Sequence, residues 1–181
     1  MAWPTLHAGM VRDALPGDLD ALAAIENQCF SMDRISRSGL RRFLAQESVR
    51  AKQENGIPQR RSRTLVAGQG TVIYGYAIIL LRRNSLIARI YSIAVLPEHR
   101  RTGMARTLLA DAESVATEAG RNRMRLEVRE DNAGAIRLYT SVGYQPFGRI
   151  EPYYEDRTAA IRMEKPLLMS VVHPNPGIFH A

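Results

Sequence analysis

The segment HRRTGMAR, from His99 to Arg106, places several positive charges and a glycine just before a predicted helix. Backbone N–H groups at the start of a helix have no partner within the helix, and the helix dipole adds partial positive charge there. A glycine lets the backbone approach a ligand closely, because it has no Cβ atom. These features predict an anion site that suits a diphosphate. The alternative interpretation is an ordinary capped helix with solvated arginines.

A second chemically notable residue is Glu127, in the segment RLEVRE. The alternation of polar and apolar residues predicts a strand, so the leucine and valine that flank Glu127 lie on the opposite face. A carboxylate in a central strand is costly unless it is paired or faces a solvated functional cleft. The structural alternative to a functional cleft is an ion pair with Arg125 or Arg129.

The spacing of apolar residues predicts the elements that position these segments. In the N-terminal half, it predicts a strand at Met10–Leu15, followed by helices at Pro16–Phe30 and Ser38–Ser48. A charged loop with glycine and proline then runs from Val49 to Arg63. Three strands with long apolar runs follow, which indicates a sheet covered on both faces. They span residues 64–69, Thr71–Leu81 and Leu86–Leu96.

In the C-terminal half, a helix is predicted from Gly103 to Ala119, stopped by the glycine that follows it. The unit from Leu86 to Val128 implies two parallel strands joined by a crossover helix, with the anion loop at its first turn. Residues 166–181 form a proline-interrupted tail without a predicted element. The remaining predicted elements are strand Arg123–Glu130, helix Asn132–Val142, and strands near Gln145–Ile150 and Ala159–Met163.

The predicted fold is therefore α/β (α+β), one domain over residues 1–165 with a central mixed, twisted sheet. The sheet has about six or seven strands and about four flanking helices, in the order β-α-α-β-β-β-α-β-α-β-β.

The composition of the whole chain limits the class of protein. The chain has 181 residues, 45% of them hydrophobic, and a single cysteine, Cys29, which excludes an internal disulfide. No apolar run approaches the roughly 20 residues of a membrane span, and the first residues lack a secretory pattern. We therefore expect a cytoplasmic protein that does not bind a membrane. No metal is expected either, because His7, His99, His173 and His180 have no paired ligand spacing.

The net charge of +7 is concentrated in the basic stretch from residue 34 to residue 63. Between Asp33 and Arg63 there are nine arginine or lysine residues and three acidic residues, a local excess of six positive charges. It predicts an acidic or ribosomal partner, and the alternative is a solvated, arginine-rich surface.

Two motifs together resemble the GNAT superfamily of acetyl-CoA-dependent N-acetyltransferases. The first, Arg100-Arg101-Thr102-Gly103-Met104-Ala105, is similar to the pyrophosphate loop of that family. The second, LEVREDNAGAIRLYTSVGY, is similar to its Asn-x-x-Ala-x-x-Leu-Tyr-x-x-x-Gly-Phe/Tyr segment. The resemblance covers about residues 10–165. The segments LEVR, AIRLY and PYYED look most like the RimI-type branch, which acetylates the N-terminal amines of proteins.

The resemblance implies transfer of an acetyl group from acetyl-CoA to a primary amine by direct attack. It implies that Glu127 is the base, with Glu130 as a rival, and that Tyr139 is the acid toward the leaving thiolate. The structural alternative for Tyr139 is a core aromatic residue. The residues implied to contact acetyl-CoA are Ile93, Ala94, Val95, Arg100, Arg101, Thr102, Gly103, Met104, Ala105, Arg106, Asn132 and Tyr139, and His99 is a further candidate. The residues implied to bind the acceptor are Ser31, Met32, Tyr153 and Tyr154.

The leading interpretation is an N-acetyltransferase that acts on a protein N-terminus. Two alternatives stay open: a GNAT enzyme that acetylates a small-molecule amine or an antibiotic, and a non-catalytic module that binds acyl-CoA or nucleic acid. The presence of both Glu127 and Tyr139 favours an enzyme. The sequence leaves the acceptor open, as well as the choice between a monomer and a homodimer.

Overall fold

The computed structural model describes residues 11–48 and 62–167. Residues 49–61 of the predicted loop Val49–Arg63 and most of the predicted tail lie outside these ranges, and the last two residues of that loop, Ser62 and Arg63, belong to a strand instead. The described elements follow the predicted order. The strands are β1 (Val11–Asp13), β2 (Ser62–Gln69), β3 (Val72–Leu80), β4 (Ile87–Val95), β5 (Arg123–Arg129), β6 (Gln145–Ile150) and β7 (Ala160–Pro166). The helices are α1 (Leu19–Cys29), α2 (Arg37–Ser48), α3 (Met104–Glu118) and α4 (Ala133–Ser141).

The strands form one mixed sheet in the order β1-β2-β3-β4-β5-β7-β6. Only β4 and β5 are parallel neighbours among the described strands, and α3 connects them as a crossover helix. This arrangement confirms the predicted fold class and the predicted parallel unit. The last strand is longer than predicted, because its pairing with β5 continues from Met163 to Pro166.

The parallel pairing of β4 and β5 is short, and it leaves the two strands unpaired with each other beyond it. It covers only Ile87–Arg89 against Arg123–Arg125, although both strands continue further. On its other side, β4 pairs with β3 through Ile90 and Ser92, which leaves Tyr91 as an extra, bulged residue. A bulge bends a strand, so β4 turns away from β5 beyond this point. The result is a gap between the C-terminal halves of two central strands.

Two hydrophobic clusters flank the sheet. The larger cluster lies under α3 and α4, and it includes Leu108 of α3 and Leu126 of β5. The smaller cluster packs α1 and α2 against β2, β3 and β4, and it includes Leu22 and Leu40. On that same side of the sheet, β5 instead presents charged residues. The predicted double cover therefore applies to β2, β3 and β4, while β5 keeps one polar face.

Candidate active site

The gap exposes part of the backbone of β4. The N–H group of Leu96 donates to the carbonyl of Tyr74 at 2.9 Å, and backbone groups alternate in direction along a strand. Ala94 therefore pairs with β3, whereas Ile93 and Val95 direct their N–H groups toward the gap. Two of the three β4 residues that the resemblance implies to contact acetyl-CoA thus offer backbone donors to a carbonyl group bound in the gap.

The predicted anion loop lies between β4 and α3. Gly103 caps α3 with a left-handed φ of 91°, a conformation that glycine adopts without strain. Within the part of the chain that the structure describes, the backbone N–H groups of residues 101–106 donate to no backbone acceptor. A run of unpaired N–H groups at the start of a helix is a ready site for phosphate oxygens.

Side chains of the loop fix its shape. The hydroxyl of Thr102 donates to the carbonyl of His99 at 2.8 Å, and Nε of Arg100 donates to the carbonyl of Val95 at 3.1 Å. The ring of His99 stacks on Tyr74 with 3.9 Å between centroids. These contacts give Arg100, Thr102 and His99 structural partners within the protein.

The other loop residues divide into backbone and side-chain contributors. Met104 is buried in the larger core, and Ala105 packs against it, so both offer only backbone groups to an anion. Nη2 of Arg106 donates to the hydroxyl of Ser141 at 2.8 Å, which ties the start of α3 to α4. The exposed side chain of Arg101 makes no ion pair or hydrogen bond with the described residues, so it is the arginine most available to an anion.

Glu127 lies on β5, two residues beyond the last pair with β4, and its side chain is 9% exposed. Nε of Arg89 on β4 lies 2.6 Å from its Oε2 atom, and Nε of Arg162 on β7 lies 3.8 Å from its Oε1 atom. The predicted ion pair therefore exists, but the predicted partners, Arg125 and Arg129, are wrong. Side chains two residues apart on one strand are about 7 Å apart, whereas neighbours across strands are about 5 Å apart.

The rival carboxylate, Glu130, is differently placed. It follows the end of β5, and both of its carboxylate oxygens accept hydrogen bonds from Arg149, at 2.9 and 3.1 Å. These hydrogen bonds hold the pKa of Glu130 below its ordinary value. Both oxygens of Glu130 are thus engaged in hydrogen bonds, whereas Oε2 of Glu127 has no hydrogen-bond partner among the described residues, and this favours Glu127 as the base.

Tyr139 lies near the end of α4 with its side chain buried in the larger core. Its ring is 5.9 Å from that of Tyr144. Burial, followed by the neighbouring Tyr154, raises the pKa of Tyr139. The hydroxyl makes no hydrogen bond with the described residues. Tyr139 is therefore a core aromatic whose hydroxyl keeps its proton and remains free to donate it.

Asn132 sets the start of α4, as predicted. Its Oδ1 atom accepts a hydrogen bond from the N–H group of Ala135 at 3.0 Å. The cap and Tyr139 are seven residues apart, which is about two helical turns, so they lie on one side of α4.

Two loops meet beside this gap. Oδ1 of Asp33, in the α1–α2 loop, accepts a hydrogen bond from the N–H group of Glu155 at 3.1 Å, and Glu155 lies in the β6–β7 hairpin. Oδ2 of Asp33 also lies 4.0 Å from Nη1 of Arg129, at the end of β5. Ser31 and Met32, just before Asp33, are exposed. The two segments predicted to bind the acceptor therefore touch each other.

Two tyrosines of the β6–β7 hairpin, Tyr153 and Tyr154, also lie near Glu127. The hydroxyl of Tyr153 accepts a hydrogen bond from Nη2 of Arg89 at 2.8 Å. The guanidinium of Arg129 lies 4.9 Å from the ring centre of Tyr154. Burial raises the pKa of Tyr154 to about 12, and the charge of Glu127 contributes to this shift. Tyr153, Tyr154 and Glu127 thus share one electrostatic neighbourhood.

Sequence reasoning named Arg129 only as a possible partner of Glu127 and missed that it holds the β6–β7 hairpin in place. Its guanidinium contacts Asp156 at 2.7 Å and Asp131 at 2.9 Å, and the hydrogen bonds to Asp156 hold the pKa of that carboxyl well below its ordinary value. One signal was available, because Arg129 is two residues after Glu127 on a strand and so shares its face.

A buried polar network under the α1–α2 loop was also missed. Glu26 is 2% exposed, and its Oε1 atom accepts a hydrogen bond from the N–H group of Ile35 at 2.6 Å. The hydroxyl of Tyr76 donates to its other oxygen and lies 3.0 Å from the hydroxyl of Ser92 in β4. The helical spacing could have indicated that Glu26 is buried, because Glu26 is four residues after Leu22 on the apolar face of α1.

We expect Glu26 to make stability depend on pH. Burial raises the pKa of Glu26 above its ordinary value of 4.5, so the folded state binds more protons than the unfolded state as pH rises from there. Stability therefore falls as pH rises through the interval between the ordinary and the raised pKa. The Glu26→Gln variant should lose this dependence, by about 1.4 kcal/mol for each pH unit of that interval. Urea unfolding of both proteins from pH 4.5 to 8 measures the difference, and a difference that grows in favour of the parent at higher pH contradicts the expectation.

The described part of the basic stretch is partly neutralised within the chain. Arg37 forms an ion pair with Asp20, and Arg63 forms one with Asp13. Across residues 11–48 and 62–167, no helix combines the length and the apolar character that a membrane crossing needs. In the same ranges, no three or more His, Cys, Asp or Glu side chains are grouped so that they could hold a metal ion.

Comparisons with known proteins give this site a context. Residues 19–144 match the model of the Acetyltransferase (GNAT) family. An N-alpha-acetyltransferase of Saccharolobus solfataricus is 39% identical over 89 residues, which are 49% of this chain and 51% of that protein. The chain spans about half the length of the curated relatives that it matches.

Solved structures share the fold. The ribosomal-protein-S18-alanine N-acetyltransferase from Escherichia coli superposes with a TM-score of 0.70 at 25% identity, over 94% of this chain and 98% of that chain. The protein yncA from Salmonella typhimurium, solved with its cofactor acetyl-CoA, superposes with a TM-score of 0.69 at 21% identity, over 92% of this chain and 96% of that chain.

Proposed function

Because the chain belongs to the acetyltransferase (GNAT) family and is an acyltransferase, we propose that it acetylates the N-terminal α-amine of a protein. The observation that carries the proposal is the meeting of the α1–α2 loop and the β6–β7 hairpin beside Glu127. An entrance between two loops favours a narrow, extended acceptor such as a chain terminus. The similarity to an N-alpha-acetyltransferase and to a ribosomal-protein-alanine N-acetyltransferase supports the same class of acceptor.

The proposed base is Glu127. The acceptor amine must be neutral to attack the thioester carbonyl, and the carboxylate takes its proton as the C–N bond forms. An α-amine has a pKa of about 7.7–8.0 and a lysine side chain one of about 10.4, so lysine costs about 3.5 kcal/mol more to deprotonate at neutral pH. A single partly solvated carboxylate therefore suits the α-amine better.

The proposed acid is Tyr139. As the C–S bond breaks, its hydroxyl gives a proton to the leaving thiolate, whose thiol has an ordinary pKa of about 8.5. The raised pKa of Tyr139 keeps it protonated until that moment. The N–H groups of Ile93 and Val95 polarise the acetyl carbonyl during the attack.

Acetyl-CoA is the proposed co-substrate, because the unpaired N–H groups of residues 101–106 fit its pyrophosphate. We expect Arg101→Ala to raise the dissociation constant of acetyl-CoA about tenfold and to leave kcat at saturation nearly unchanged. The reason is that Arg101 offers a charged hydrogen bond to the pyrophosphate but lies outside the reacting groups. Isothermal titration calorimetry measures this change.

The matched control is Arg82→Ala, an exposed arginine in the turn that precedes β4 at its far end. It should leave acetyl-CoA affinity unchanged. An unchanged affinity in Arg101→Ala as well would argue against the pyrophosphate loop.

Thiol release from acetyl-CoA over a panel of acceptors tests the proposed function. The panel contains peptides with free Ala, Ser or Met N-termini, an N-blocked lysine peptide, spermidine and an aminoglycoside. Release with the free N-terminal peptides alone is the expected result. Release only with spermidine or the aminoglycoside would move the acceptor to small amines, and acetyl-CoA binding without any release would contradict the proposal.

A further inference from the structure

Three buried polar atoms without a hydrogen-bond partner converge at the proposed base. They are Nε of Arg89, Oε2 of Glu127 and Nε of Arg162. The 2.6 Å contact between Arg89 and Glu127 is an ion pair whose N–H bond does not point at the oxygen. Buried polar groups in proteins nearly always have partners, and exceptions mark strained or functional sites. Unmet hydrogen-bonding capacity at this point indicates a polar ligand.

The charge here is also unbalanced. Two guanidiniums, those of Arg89 and Arg162, share the single carboxylate of Glu127. Arg162 is held from its other side by Phe147, whose ring centre lies 4.5 Å away. The next carboxylate on this face, Glu164, is engaged by two further arginines and gives no compensation. A ligand that completes this site is therefore an anion.

Arg89 lies on the path of the proposed acceptor. One end of its guanidinium contacts Glu127, and the other end donates to the hydroxyl of Tyr153 at 2.8 Å. Tyr153 lies in the hairpin that is proposed to hold the acceptor. The side chain of Arg89 is 32% exposed, so a group that enters between the loops can contact it.

The proposed reaction itself increases the imbalance. When the α-amine gives its proton to Glu127, the carboxylate becomes neutral. Arg89 and Arg162 then have no anion, and uncompensated charges in a partly buried site are unfavourable. A carboxylate supplied by the acceptor restores the balance at that moment, so it favours the transition state as well as binding.

We propose that Arg89, supported by Arg162, is an acceptor-specificity residue that binds a carboxylate next to the acceptor amine. The preferred acceptor is then a protein N-terminus whose second residue is Asp or Glu. This inference rests on the proposed N-terminal acetylation, which it makes more specific.

Matched peptides test the inference. Four peptides begin Ala-Asp, Ala-Asn, Ala-Glu and Ala-Gln and are otherwise identical, and kcat/KM is measured for each from thiol release. We expect the acidic peptides to exceed their amide counterparts by about tenfold or more. In Arg89→Gln this ratio should fall to about one, and in Arg89→Lys it should be partly restored, because the charge returns without the planar fork.

The control variant is Arg123→Gln, which removes an arginine of the same sheet face that pairs with Glu164 and not with Glu127. It should keep the acidic preference of the parent. Thermal unfolding of each variant shows whether it is folded, and the four-peptide comparison on the parent protein needs no variant at all.

The outcomes separate the two levels of the proposal. Equal rates on acidic and amide peptides, or an acidic preference that survives in Arg89→Gln, would overturn the inference and leave N-terminal acetylation intact. Acetyl-CoA binding without acetylation of any of the four peptides or of the wider panel would overturn both.

Discussion

Glu127→Gln is expected to lower kcat by about 10²-fold or more and to leave acetyl-CoA binding within about twofold of the parent. Glutamine has nearly the same size and still offers one oxygen to Arg89 and Arg162, so the packing around it is retained. It cannot take a proton from the amine. Steady-state thiol release at saturating acetyl-CoA measures the loss, and calorimetry measures the binding.

The carboxylate of Glu164 provides a matched control on the same sheet face. It lies on β7 and pairs with Arg123 at 2.6 Å and with Arg125 at 2.9 Å, so Glu164→Gln removes a similarly paired charge. This variant should keep kcat within about threefold, because it is not placed to receive the amine proton. Equal losses of kcat in both variants would mean that the reaction needs the negative charge of this sheet face and not proton transfer to Glu127. An unaffected Glu127→Gln would refute the assignment.

Much of the fold was predictable because it depends on local patterns. The helical spacing of Leu108, Leu109, Ala112 and Val115 fixes the buried face of α3, and all four are in the core. The strand–helix–strand unit had to be parallel and adjacent, since a crossover helix packs in no other common way. The cap at Asn132 is likewise encoded within a few residues.

The surroundings of Glu127 were not predictable, because they depend on pairing between distant strands. Sequence order places β6 after β5, but β7 lies between them in the sheet. This insertion brings Arg162 beside Glu127 and makes the two strands partners residue by residue. Arg89 arrives from β4, just where the parallel pairing ends. The sequence next to Glu127 indicates neither contact.

The bulge at Tyr91 was not predictable either, because it also depends on how two strands pair. Nothing in the apolar run around it indicates that one residue fails to pair with β3. The bulge nevertheless sets where β4 leaves β5 and therefore where the backbone of Ile93 and Val95 becomes available. A one-residue irregularity in register thus converts a covered strand into one wall of a binding gap.

Tyr139→Phe is expected to lower kcat by about 10²-fold, with little change in acetyl-CoA affinity or thermal stability. Its hydroxyl has no hydrogen-bond partner among the described residues, so its removal leaves no buried polar group orphaned. The ring stays and continues to pack in the larger core. The leaving thiolate, however, loses its proton donor. Rates with thioesters of different thiol pKa measure this, because thiols of lower pKa need less help and should lose less.

Tyr144→Phe is the internal control for that result. Tyr144 is fully buried, and its ring lies 5.9 Å from that of Tyr139, so the same chemical change is made one ring away. This variant should retain kcat within about twofold. The pH dependence gives an independent check on Tyr139. Because its pKa is raised above the ordinary value of 10.0, its proton is retained and the acid should not fail below pH 10. An alkaline fall of kcat that begins well below pH 10, and that Tyr139→Phe abolishes, would contradict the buried, protonated state on which its role as the acid depends.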